Sequence, residues 1–347
     1  MGRQDGRGRL VVAAMTTVST ATPTAPASRT APYGQRPRHA TTLSDWSEQD
    51  LEALYDRAQW MLTQPRDTVA RTAPGMLLGT LFYQNSTRSR ISFETAAHRI
   101  GGASVGFSDV TTTRAGDFYA ESLEDTVRVI GGYTDALVLR HTDDDAARRA
   151  AAVSPVPLIS AGTGDQEHPT QVMLDLWVIR SALGAGLRGA TLGYVGDPTC
   201  RVARSLVYAL RSFKAAGLVF LTPDGARFPA DVVAAMESGG LAWRTVESAG
   251  ELLSSVDAAC IVPFELSDFH QSAVRSHQRR DRLDERFVFS RELLTGVGAG
   301  VPVTHTGPRG PELPGDVDEL ANVHYLDGVA KGVPLRSALL AELLAHR

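Results

Sequence analysis

Lysine is nearly absent: Lys214 and Lys331 stand against 33 arginines. Few lysines are left for catalysis, and fixed positive charge has to come from guanidinium groups. Cysteine is as scarce, and Cys200 and Cys260 lie far apart. Two such cysteines speak for neither a disulfide scaffold nor a zinc site, and for a reducing, cytoplasmic setting. Long apolar runs are missing too. Stretches such as 136–139 and 217–221 fall far short of the roughly 20 residues that a membrane-spanning helix requires. Nor is there a large excess of either charge: the formal net charge is -4. The chain therefore has no broad attraction to nucleic acid or an anionic membrane, and any anion site must be built from a few focused arginines.

What is present is 347 residues with 43% hydrophobic content, enough for two domains and a tail. Residues 1–38 are rich in Thr, Ala, Pro, Ser, Gly and Arg without apolar periodicity, and are expected to form a disordered tail. The short apolar stretch 10–15 is too short for a secretory core, and a start at Met15 accounts for it equally well. Order is expected from Leu43-Ser44-Asp45, where capping residues precede apolar Leu51, Leu54, Ala58 and Met61 at helical spacing. Alternating strands (75–83, 103–107, 136–140) and helices (86–100, 122–131) follow. A long helix over 169–183 then leads into a second alternating series, with strands at 191–195, 218–221, 258–262 and 301–305 and helices at 201–216 and 229–238. This pattern predicts an α/β chain of two doubly wound parallel-sheet domains, 39–184 and 185–332, joined by a helix. The apolar series Leu335, Leu339, Leu340, Leu343 and Leu344 predicts a C-terminal helix over 333–347 that returns to the first domain.

The chemistry concentrates in a few segments. The segment Gln84 to Arg90, with Ser86, Thr87, Arg88 and Ser89 at its centre, follows a strand and opens a helix, so hydroxyls, backbone N-H groups and guanidinium forks meet at a helix N-terminus. Cations in a first turn oppose the helix dipole unless an anion compensates them, which favours an anion site over a cap flanked by solvated arginines. Taken alone, Arg140 at a strand end, His168-Pro169 at a helix start and Arg201 after Gly196-Asp197 are ordinary features. Gly162-Thr163-Gly164 resembles a phosphate loop only weakly, and the charged runs 143–145 and 279–280 read as solvated faces.

Taken together, these segments resemble the aspartate/ornithine carbamoyltransferase family over roughly residues 42–346, and the aspartate enzymes most. Ser86 to Thr95 is similar to the family's carbamoyl phosphate motif, with Ser89 keeping the hydroxyl of the usual threonine. Gly101 to Asp109, Glu121 to Thr126, Leu139-Arg140-His141 and His168-Pro169-Thr170-Gln171 match in order, and His305 to Arg309 stands where the family has His-Pro-Leu-Pro-Arg. The resemblance implies that Ser86, Thr87, Arg88 and Ser89 bind phosphate. It implies that Arg140 touches phosphate and carbonyl oxygen, that His168 stabilises the developing oxyanion, and that Gln171 accepts from the carbamoyl NH2 group. Backbone carbonyls at Thr306 and Gly307 would accept from the same nitrogen, and the Gly307-Pro308 bond would be cis. Arg88, Arg140 and His168 are the implied catalytic set, Arg201 would hold an acceptor carboxylate, and no metal or cofactor is implied. A cytoplasmic homotrimer is implied, with a loop reaching a neighbouring subunit's site.

The pattern departs from the family's in three places. Tyr119 stands where the family's loop has a lysine, although Arg114 keeps a positive charge in that loop. Pro263 and Glu265 replace an arginine and a glutamine that hold the acceptor, and Thr306-Gly307 replaces Pro-Leu. The expectation is a carbamoyltransferase whose partners are carbamoyl phosphate and a small amine, amide or hydroxyl acceptor other than aspartate. Ordinary aspartate carbamoyl transfer in pyrimidine synthesis, or carbamoyl phosphate binding without turnover, are the alternatives.

Overall fold

The computed structural model describes residues 37–114, 121–184, 186–263 and 283–345, which lie within one compact unit. Two parallel sheets organise it. The first has the order β2-β1-β3-β4, with β1 Leu77–Phe82, β2 Ala103–Phe107, β3 Ala136–His141 and β4 Leu158–Thr163. The second has the order β7-β6-β5-β8-β9, with β5 Thr191–Val195, β6 Gly217–Leu221, β7 Ala242–Val246, β8 Ala258–Ile261 and β9 Val303–His305. Every strand pair is parallel, so each connection crosses a sheet face, most through a helix.

Residue alternation decides which face each side chain meets. Leu78 and Phe82 of β1 and Val138 of β3 join one core with Leu192 and Tyr194 of β5 and Leu218 and Phe220 of β6. Their neighbours turn the other way. Leu81, Leu137 and Leu139 pack in a second cluster behind the first sheet, and Val195, Val219, Leu221 and Ile261 in a third behind the second sheet. The connecting helix Pro169–Leu183 supplies Val172, Met173, Leu176, Trp177 and Ile179 to the shared core. It is apolar nearly all round because it is buried between the sheets.

The first long helix, Glu48–Thr63, starts later than Leu43-Ser44-Asp45 suggests. Those residues form a 3-10 turn, and Ser47 makes the capping box with Asp50. Helix Ala146–Val153 with strand β4, and strand β7, have no counterpart among the expected elements. Helix 201–216 is shortened to Arg201–Ser212. The C-terminal helix runs Tyr325–Ala345, beginning before 333 and passing through Pro334, and packs on Glu48–Thr63 and on Thr87–Arg99 of the first sheet's layer. The Gly307-Pro308 bond is cis. No described helix is long and apolar enough to cross a membrane.

Candidate active site

The carboxyl ends of the strands face one cavity of about 410 Å³, the usual place for a ligand in open parallel sheets. β1 leads to Ser86, Thr87, Arg88 and Ser89, β3 carries Arg140 as its last residue but one, and β9 leads to Thr306 and Gly307; all line the cavity. His168, Gln171, Arg201 and Val202 complete the central part of the wall. Ten of the predicted site residues thus meet in one place, on segments that follow strands of both sheets.

Three helices point their N-termini at this cavity: Thr87–Arg99 capped by Ser86, Pro169–Leu183 capped by His168, and Arg201–Ser212 capped by Cys200. None of these caps makes a side-chain capping bond, and none of the three first turns holds an acidic residue. The partial positive charge of each terminus is therefore uncompensated and available to an anion.

The guanidinium groups add to it. Arg140 is 7% and Arg201 9% exposed. Arg140 Nη1 donates to the Ala161 carbonyl at 2.7 Å while its Nε has no partner, and Arg201 Nη1 donates to the Gly164 carbonyl at 2.9 Å. Burial, then Arg201 and Arg88, pushes Arg140 well below the usual guanidinium range. No carboxylate lines the cavity among the described residues. Concentrated positive charge without a counter-ion is what an anionic ligand would complete. Gly162 makes room for one of these arginines, since a Cβ there would collide with Nη1 of Arg140, whereas a Cβ at Gly164 would meet the Asp144 carboxylate.

His168 is buried, its backbone N-H donates to Ser205 Oγ at 3.0 Å, and its Nδ1 has no partner. Burial, then Arg140, Arg201, Arg336 and Arg88, holds it well below the usual imidazole range, so it is neutral. Such an imidazole can donate to an oxyanion without bringing a proton to lose. The Thr306-Gly307 backbone is braced from behind. His305 Nδ1 accepts from the Gly307 N-H at 2.7 Å, which leaves Nε2 as the donor to Glu312 Oε1 at 3.0 Å. The Thr306 hydroxyl is buried without a partner.

Arg114 is exposed and does not line this cavity within its own chain, and Pro263 is buried away from it. Tyr119 and Glu265 lie outside the described residues. Sequence reasoning missed Val202 and Pro308 in the wall, and behind it the buried pair Asp175 and Arg336. Both interrupt apolar stretches, Val172 to Ile179 and Leu335 to Leu340, and a charge inside such a stretch was the available signal.

Comparison with known proteins agrees along the whole described chain. Residues 38–181 match the carbamoyl-P binding domain, and residues 188–343 the Asp/Orn binding domain, of the aspartate/ornithine carbamoyltransferases. The aspartate carbamoyltransferase catalytic subunit of Chromobacterium violaceum is 32% identical over 308 residues, 88% of this chain and 98% of that protein. The crystal structure of the M. jannaschii aspartate transcarbamoylase catalytic subunit superposes with a TM-score of 0.76 at 32% identity, covering 88% of this chain and 98% of that one. The Trypanosoma cruzi enzyme in complex with carbamoyl phosphate gives a TM-score of 0.75 at 27% identity, covering 88% and 95%. The chain belongs to the aspartate/ornithine carbamoyltransferase family of enzymes.

Proposed function

We propose that this enzyme transfers the carbamoyl group of carbamoyl phosphate to the amino group of a carboxylate-bearing acceptor, with aspartate the first candidate. The observation that carries this reading is the convergence of Arg88, Arg140, Arg201 and three uncapped helix N-termini on a cavity lined by no carboxylate among the described residues. A dianionic donor and an acidic acceptor together supply the missing negative charge.

In this reading Ser86, Thr87, Arg88 and Ser89 hold the phosphate, while Arg140 and neutral His168 polarise the carbonyl oxygen. Gln171 and the carbonyls of Thr306 and Gly307 accept from the carbamoyl NH2 group. The amine lone pair attacks the carbonyl carbon, the C-O bond to phosphate breaks in the resulting tetrahedral intermediate, and the amine loses a proton. Positioning and preorganised charge supply the rate, with no covalent enzyme intermediate. Arg201 holds the acceptor's carboxylate. The assembly is a homotrimer in which the loop carrying Arg114 and Tyr119 serves a neighbouring chain's cavity.

The relatives described above are named as aspartate enzymes, so they lend no support to the expectation of a different acceptor. A second reading, an acceptor without a second carboxylate, is kept by one observation: Pro263 and Glu265 stand where the family holds the acceptor with an arginine and a glutamine. Steady-state kinetics decide between the two. Turnover of aspartate with kcat/KM of about 10⁴ M⁻¹s⁻¹ or above establishes the first, and negligible turnover of aspartate beside efficient turnover of a neutral or zwitterionic amine establishes the second.

A further inference from the structure

The Gln171 side chain lines the cavity, and its amide is hydrogen-bonded to a group behind it. Gln171 Nε2 donates to Asp175 Oδ1 at 2.9 Å, one turn further along the connecting helix. Asp175 is 2% exposed and does not reach the cavity wall. Its Oδ2 receives the Cys260 thiol of β8 at 3.9 Å. The guanidinium groups of Arg336, on the C-terminal helix, and Arg88, on the Thr87–Arg99 helix, favour its ionised form. The Tyr55 hydroxyl, on the Glu48–Thr63 helix, faces it as well and stays protonated. A carboxylate accepts hydrogen bonds and cannot donate them. An amide whose NH2 is committed to a carboxylate must turn its carbonyl oxygen the other way, here toward the cavity.

We propose that Asp175 is a positioning residue that makes the site select carbamoyl phosphate over acyl phosphates of the same shape, by holding Gln171 with Oε1 toward the donor's amino group. The inference rests on the carbamoyl phosphate reading above. Acetyl phosphate presents the same phosphate and the same carbonyl, with a methyl group in place of the amino group. Against Gln171 Oε1 the amino group donates, whereas the methyl leaves a desolvated oxygen without a partner. Freed from Asp175, the amide can also present its NH2, and the distinction weakens. Asp175 therefore acts on selectivity without touching the donor.

Burial pushes Asp175 up to about 7, so the test is run at pH 8.5, where it is a carboxylate. Dissociation constants for carbamoyl phosphate, acetyl phosphate and inorganic phosphate are measured by calorimetry on the full chain. The proteins are the wild type, Asp175→Asn, Gln171→Leu and the double variant. Asp175→Asn is expected to lower the preference for carbamoyl over acetyl phosphate about 5- to 10-fold, on the scale of one hydrogen bond. Inorganic phosphate should bind as before, which shows an intact pocket. Gln171→Leu should lower the preference as far, and adding Asp175→Asn to it should change nothing more, because the two act through one contact. Should Asp175→Asn fold poorly, the wild type carries the test: its preference should fall about threefold or more from pH 8.5 to pH 6, while that of Gln171→Leu stays level. An unchanged preference in Asp175→Asn, or an equal loss in the Gln171→Leu background, overturns the inference while leaving the carbamoyl phosphate reading standing. A wild type that does not bind carbamoyl phosphate removes both.

Discussion

Gly307 and Arg88 compete for one small volume: a Cβ on Gly307 would collide with Nη1 of Arg88, so the guanidinium lies over a backbone that carries no side chain. Arg88 lies on the helix that follows β1 of the first sheet and Gly307 in the loop that follows β9 of the second, and Gly307 has a φ of +68°, in the left-handed region. The family resemblance places leucine at this position. The exchange to glycine is thus tied to where the Arg88 guanidinium rests.

Gly307→Ala should displace the tip of Arg88 and strain the backbone by about 1–2 kcal/mol. The clash is with the free end of a flexible side chain, so it should cost binding more than stability. Calorimetry should show carbamoyl phosphate affinity falling about tenfold. Arg88→Ala should cost roughly 2 kcal/mol or more, as expected for a lost charge-assisted contact. Unchanged affinity in both would mean that Arg88 does not hold the phosphate.

The contrast between these two residues shows how much was legible in the sequence. Arg88 announced itself locally, because hydroxyls, arginines and a helix start at fixed spacing are local features, whereas Arg140, His168 and Gln171 are ordinary features taken alone and became legible only through the family resemblance. Their meeting in one cavity follows from parallel strands ending on the same side. The space between Gly307 and Arg88 was not legible, since it depends on the approach of two segments more than 200 residues apart. Strand β7, which reads Ala-Trp-Arg-Thr-Val, was missed because four of its five residues are exposed at the sheet edge. Asp175 and Arg336 were missed because apolar periodicity absorbed them, and only packing brings them together.

His168 makes stability depend on pH in a definite direction. Its imidazole is held neutral well below the usual range by burial and then by Arg140, Arg201, Arg336 and Arg88. Below about pH 6.5 the unfolded chain binds a proton that the folded chain refuses, so stability falls as pH drops and levels off above that value. Urea titrations of the wild type and His168→Gln should differ by a constant above pH 7. From pH 7 to pH 5 the difference should move in favour of the variant.

Asp175 has the opposite sign. Burial pushes its carboxyl from 3.8 up to about 7, so between about pH 4 and pH 7 the folded chain holds a proton that the unfolded chain has released. Stability from this group is complete below pH 4 and is lost as pH rises through 7. At about 1.4 kcal/mol per pKa unit the effect is a few kcal/mol at most. Asp175→Asn should therefore gain on the wild type as pH rises from 4.5 to 8, and a difference independent of pH would show that Asp175 is not buried as described.

Arg114 tests the shared site. It is exposed and away from its own cavity. Mixing Arg88→Ala chains with Arg114→Ala chains should recover part of the activity that each lacks alone, through hybrid sites with both arginines intact. A fully active wild-type monomer in sedimentation experiments would contradict the trimer and the sharing.

Carbon-13 NMR of the enzyme with ¹³C-carbamoyl phosphate and a panel of amines that includes aspartate tests carbamoyl transfer most directly. The account predicts that the label appears in a new ureido carbon bound to the acceptor nitrogen, in step with phosphate release, and that Arg88→Ala abolishes this. Label lost only to spontaneous breakdown, at the rate seen without enzyme and with every acceptor tried, would contradict it.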